Sequence, residues 1–160
     1  MKQCIIAVLL AASVSLVSAQ TLRVVLWFEA DPALPATAAL ELSEMIIQGA
    51  LNACFERGVI GTNDRPRSGT LDAALAYKPG TDAIEGFVDY EMVVFADFRQ
   101  NGPEYKTPDC TYRLIRVADL AVRFSGKLPA QAAASMAKTD TDKACISMGA
   151  EMIRLSLQGR

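Results

Sequence analysis

Hydrophobic and polar residues follow patterns along the chain that predict a mixed α/β domain. An apolar run over 22–28, rich in β-branched and aromatic residues, predicts a strand that enters the core. Polar residues then recur every three or four positions over 36–57, which predicts an amphipathic helix that ends at Gly58. Residues 87–98 show clear alternation, with every second residue from Val88 to Phe98 apolar, which predicts a long strand with one continuous apolar face.

Weaker patterns predict the rest of the fold. The first of these elements are a short strand at 58–62, a polar loop at 63–69 and one or two helical turns at 70–77. Strands at 110–117 and 122–127 follow, joined by a reversal at Asp119. An Ala-rich segment at 129–138 is either helical or irregular, and a final helix capped by Asp140-Thr141-Asp142 reaches Leu157. Two long amphipathic helices need an apolar surface to cover. We therefore expect a twisted mixed sheet of four to five strands with both long helices on one face and the other face partly exposed to water.

The first nineteen residues have the three parts of a cleavable signal peptide. Lys2 is followed by an apolar stretch over 5–17 and by small residues that end at Ala19. That stretch is shorter than the ~20 apolar residues of a membrane span. Cys4 precedes it, whereas the lipidated cysteine of a bacterial lipoprotein follows it. We expect residues 1–19 to be a signal peptide and 20–160 to be a single α/β domain, periplasmic or secreted, with no stable membrane insertion.

Charge and composition narrow the function classes. The chain has 16 basic and 18 acidic residues, and loss of Lys2 with the leader leaves a net charge of −3. This charge argues against nucleic acid as a general partner. The chain has no histidine, which removes Ser-His-Asp and Cys-His catalysis and histidine-bound metals. We expect no cofactor, no metal and no enzymatic activity.

Three cysteines remain after the leader: Cys54, Cys110 and Cys145. In an oxidising compartment one pair is able to form a disulfide and one thiol is left over. The sequence leaves the pairing open. The alternative is that they are small, buried structural residues, which the predicted helix faces favour for Cys54 and Cys145.

Two groups of charged residues are candidate sites. Asp89, Glu91 and Asp97 share one face of the 87–98 strand, a geometry that suits paired carboxylates or a hard cation. The favoured alternative is a solvated strand face whose charges pair with arginines on a neighbouring strand, namely Arg113, Arg116 or Arg123. The second group is Arg65 and Arg67, a basic loop able to grip a phosphate or carboxylate, or else merely an exposed loop.

Several segments together carry a resemblance to a known class. They are the strand at 22–28, the helix at 36–57, the Gly-bearing strand at 58–62, the segment 82–98, and the alternating strand 112–119 that ends in Asp119. This order resembles small α/β domains of the bacterial envelope: the TolB amino-terminal domain, the curli-secretion lipoprotein and the penicillin-binding-protein activator lipoproteins. The resemblance implies a domain that binds other envelope proteins and has no active-site residues.

The leading hypothesis is therefore a non-enzymatic envelope protein that binds another protein through an exposed sheet edge or the 63–69 loop. A rival hypothesis is a small hydrolase that uses Asp89 or Glu91, which requires a carboxylate in a concave pocket. A third is a small-ligand carrier, which requires an apolar cavity.

Overall fold

The computed structural model describes residues 20–80, 87–99, 107–130 and 138–158. The predicted leader lies outside these residues, as does most of the Ala-rich segment. The elements are β1 (Thr21–Ala30), α1 (Ala36–Glu56), β2 (Ile60–Asn63), β3 (Arg67–Ser68), α2 (Leu71–Ala76), β4 (Tyr90–Phe98), β5 (Asp109–Arg116), β6 (Val122–Leu128) and α3 (Lys138–Leu157). The predicted order is confirmed, with β3 as an additional two-residue strand.

The strands form one mixed sheet of six strands rather than four to five. Its order is β2-β1-β4-β5-β6, and β3 pairs with β1 beyond the end of β2. β1 pairs in parallel with β2, β3 and β4, whereas β4, β5 and β6 form antiparallel pairs. β1 therefore lies in the interior of the sheet. Its apolar residues on both faces suit burial at this position.

Both long helices pack on one face of the sheet, as predicted. The apolar alternate residues of β4, from Met92 to Phe98, form one core with α1 and α3. On α1 the predicted buried positions, including Leu42 and Ile46, are in this core, and the polar stripe is exposed. Gly58 adopts φ +68°, the left-handed conformation expected just beyond a helix C-terminus.

α1 and α3 cross at a pair of glycines. A Cβ built on Gly149 would overlap the carbonyl oxygen of Ile46 and lie 2.8 Å from the amide nitrogen of Ala50. A Cβ built on Gly49 would likewise overlap the carbonyl oxygen of Ile146. The two backbones touch, so this close crossing depends on glycine at both positions.

The second face of the sheet is covered in part by α2. Val93 and Phe95 are buried there in a small apolar cluster under α2. The Arg113 guanidinium donates hydrogen bonds to the carbonyl oxygens of Ala74 (3.0 Å), Leu75 (2.8 Å) and Tyr77 (2.9 Å). These bonds satisfy carbonyls at the end of α2 and fix the helix to β5. Ser125 and Lys127 of β6 remain exposed on this face, so the face is partly wet, as expected.

The expected cap of the last helix is wrong. α3 begins at Lys138, so Asp140 lies in its first turn rather than before it. Its carboxylate is still placed where the helix dipole favours negative charge. The reversal at Asp119 is confirmed, with Leu120 in a left-handed conformation at φ 56°.

Candidate functional site

An open groove lies between α1 and the connection from β2 to β3. β2 and β3 both pair with β1, and residues 64–66 connect them along the sheet edge. The groove has a volume of about 450 Å³. Its lining residues are Glu44, Ile47, Gln48, Leu51 and Asn52 of α1 together with Asn63, Arg65 and Pro66 of the connection. We call it the Arg65 groove.

Arg65 is available for a ligand. It is exposed, and it makes no hydrogen bond or ion pair with any other described residue. The same holds for Glu44 on the helix side of the groove. A guanidinium in this state keeps all of its donors for a carboxylate or a carbonyl.

Arg67 is used within the fold instead. Its guanidinium pairs with the Asp64 carboxylate at 2.9 Å. It also lies over the rings of Trp27 and Tyr77, with its central carbon 5.6 and 6.0 Å from their centroids. These contacts hold the connection against β1, so the two arginines that the sequence grouped together have different surroundings.

Glu91 is fully buried and pairs with Arg23 of β1. This differs from the expected pairing with an arginine of β5 or β6, because Arg23 is the parallel neighbour of Glu91 in the register. The hydroxyl of Tyr77 accepts a hydrogen bond from Arg23 at 3.5 Å. Burial opposes the charge on Arg23, but the bond and negative charge of Glu91 prevail and raise its pKa.

The other two carboxylates of the 87–98 segment, Asp89 and Asp97, do not contact the Arg23–Glu91 pair. Asp89 accepts hydrogen bonds from the Thr21 amide (2.8 Å) and hydroxyl (3.1 Å), which fixes the start of β1 against β4. Asp97 pairs with Arg99 at 2.6 Å, and this hydrogen bond lowers the pKa of Asp97. Eight residues of strand put these two ~26 Å apart. No group of three acidic or cysteine residues suited to a metal occurs in the described part of the chain.

The three cysteines are free thiols and all are buried. Burial raises the pKa of Cys54 to about 11 and that of Cys145 to about 12. Burial also raises the pKa of Cys110, and the neighbouring Cys145 adds to this effect. Thiols with such pKa values remain protonated and are poor nucleophiles at neutral pH.

The pocket that best matches the small-ligand carrier hypothesis is apolar and lies beside α2, between Leu75 and Phe95. Its volume is about 80 Å³. Pockets that hold small ligands are several times larger, ~300 Å³ or more.

No helix among the described residues has the length and apolar character needed to cross a membrane.

Comparison with known proteins gives structural similarities only. No family model matches the chain, and no curated protein matches it. A DUF330 protein from Xanthomonas campestris is 14% identical over 88% of this chain and 82% of its own, with a TM-score of 0.45. The PelC dodecamer from Paraburkholderia phytofirmans is 17% identical over 88% of each chain, with a TM-score of 0.44. TolB from Acinetobacter baumannii is 16% identical over 88% of this chain but 29% of its own, with a TM-score of 0.43.

Proposed function

We propose that this chain is an exported, non-enzymatic domain of the cell envelope that binds a segment of another protein in the Arg65 groove. The observation that carries the proposal is a guanidinium that has no partner among the described residues and lines an open groove. An exposed arginine beside apolar surface is a common anchor in protein interfaces. Export rests on the leader predicted from residues 1–19.

The rest of the groove suits a polypeptide. Gln48, Asn52 and Asn63 each carry a side-chain amide. An amide offers both donors and acceptors, so it matches the N–H and C=O groups of a peptide backbone whatever the side chains are. Ile47 and Leu51 add apolar surface between these amides, which favours a chain over a free ion.

The hydrolase alternative receives no support from its carboxylates. Glu91 has no exposed surface and is paired with Arg23. Asp89 is held by the backbone and hydroxyl of Thr21. A general base must reach the proton that it removes, which the buried Glu91 cannot do. Asp89 is exposed, but one of its oxygens already holds Thr21 at the start of β1.

Photo-crosslinking in the producing cell tests the proposal. A benzophenone amino acid replaces Asn52 in the groove or, as a control, Ser147 on the exposed side of α3. We expect a discrete protein adduct from position 52 that is absent from position 147 and that weakens with Arg65→Ala. Lys143→Ala removes the same charge from an exposed helical site and should leave the adduct unchanged. Equal adducts from both positions, or none from position 52, would refute the groove as the binding surface.

Export is tested separately. Amino-terminal sequencing of the protein from the cell envelope should begin at Gln20. Recovery from the cytoplasm with Met1 or Lys2 as the first residue would contradict the predicted leader.

A further inference from the structure

We infer that the Arg65 groove selects an extended segment in which two adjacent residues carry opposite charges. The inference rests on the proposed function of this groove and specifies the partner's chemistry. It follows from the charges on the two walls of the groove, the spacing of its polar residues and the geometry of an extended chain.

The two walls carry opposite, unpaired charges. Arg65 stands on the wall formed by the β2–β3 connection, and Glu44 stands on the wall formed by α1. They line the same groove without forming an ion pair, and neither has a partner among the described residues. A ligand that fits between them meets a cation on one side and an anion on the other, so a purely acidic or purely basic segment would satisfy only one wall.

The helix wall has the repeat of an extended chain. Glu44, Gln48 and Asn52 are spaced four residues apart on α1, so they form a line along its axis. Four residues of helix rise ~6 Å, which is close to the ~6.6 Å between alternate residues of a β-strand. The line is ~12 Å long and accommodates about four extended residues. The loop wall is compatible with this repeat, since Asn63 and Arg65 are themselves two residues apart.

An extended segment sends successive side chains to opposite sides. One residue would therefore face Arg65 and the next would face Glu44. Opposite charges on adjacent residues satisfy both walls, whereas opposite charges two residues apart both point to one wall and leave one charge facing its own sign. Ile47 and Leu51 lie in the same groove and offer apolar contact to the chain between the walls.

The test uses two blocked hexapeptides of identical composition. In one, Lys and Asp are adjacent, and in the other a single Ala separates them. Binding to the folded domain is measured from amide shifts in NMR titrations at low salt. We expect the adjacent peptide to bind ~2- to 5-fold more tightly, the range of an exposed ion pair, and the difference to shrink in 0.5 M salt. Equal or weaker binding of the adjacent peptide would overturn the inference.

A charge swap separates recognition from a nonspecific effect. The double variant Glu44→Arg/Arg65→Glu exchanges the two walls and should keep the preference for adjacent charges. The single variant Arg65→Glu makes both walls acidic and should favour a Lys-Lys peptide instead. Both residues are exposed, so unchanged thermal unfolding is expected to show that the variants fold. A preference that survives Arg65→Glu would also overturn the inference. Crosslinking from position 52 without any adjacency preference would leave the proposed function intact and remove only this charge rule.

Discussion

Gly149→Ala tests the close crossing of α1 and α3. Alanine is a better helix former than glycine by ~0.8–1.0 kcal/mol, so an exposed site would gain stability from this change. At position 149 the new methyl group would overlap the Ile46 carbonyl oxygen and lie 2.8 Å from the Ala50 nitrogen. An ordinary Cβ contact is 3.4–4 Å, so relief of the Ala50 contact alone takes a separation of about 0.6 Å, and the closer Ile46 oxygen requires more. The contacted atoms are backbone, which cannot rotate away.

The expected result is a net loss of stability. Overpacking of a tight core costs ~1–3 kcal/mol, and a backbone clash belongs near the upper end of that range. After subtraction of the ~1 kcal/mol propensity gain, we expect the free energy of unfolding to fall by ~2 kcal/mol. For a domain of this size that corresponds to a Tm lower by ~6 °C. Urea unfolding followed by circular dichroism measures both the midpoint and the slope.

Two further variants sharpen this test. Ser147→Ala, on the exposed side of the same helix, should raise stability slightly through propensity alone. Gly49→Ala should destabilise as Gly149→Ala does, and the double variant should cost less than the sum, because one separation of the helices relieves both clashes. A gain in stability from Gly149→Ala would refute the crossing described here.

Four other outcomes can be measured on the same protein. Glu91→Leu removes the nearest partner of the Arg23 guanidinium and leaves it only the Tyr77 hydroxyl at 3.5 Å and the Asp64 carboxylate at 4.0 Å. We expect the free energy of unfolding in urea to fall by ~3 kcal/mol, and the added change Arg23→Met should recover most of it. Arg67→Ala should lower the free energy of unfolding by ~0.5–1 kcal/mol and make Trp27 fluorescence easier to quench with acrylamide. Arg65→Ala, the control, should leave the quenching unchanged. Arg99 lowers the pKa of Asp97, so this pair stabilises the folded protein fully at pH values above the ordinary carboxyl pKa of ~3.9. Its contribution is lost as the pH falls through the lowered pKa of the folded state. The variant Asp97→Asn should therefore show a smaller change in the free energy of unfolding across that acidic range than the original protein. The cysteines should resist iodoacetamide at pH 8 until the protein unfolds, and labelling of the native protein at the rate of a free thiol would contradict their burial.

Local sequence patterns predicted the helices and strands, but they could not predict which residues far apart in the chain pair with one another. The stripe of α1 and the alternation of β4 follow from residues three, four or two positions apart, so the sequence alone indicates them. The Arg23–Glu91 pair joins residues 68 positions apart and depends on the parallel register of β1 and β4. The glycine crossing and the cover provided by α2 likewise depend on how the elements pack, since no local rule assigns a small helix to the second face. The sequence pointed to the 63–69 loop, yet only the structure distinguishes Arg65 from Arg67.

The interior position of β1 has a consequence for the timing of folding. β1 begins at Thr21, two residues after the predicted cleavage point, and its parallel ladder with β4 joins residues 68 positions apart. Pairing across such a long intervening chain requires a large loop to close first, which slows folding. A chain that crosses a membrane as an unfolded thread gains from that delay, because its central sheet cannot form until β4 has been made. The topology that buries β1 would therefore also keep the newly made chain unfolded for longer, which is the state that the proposed export requires.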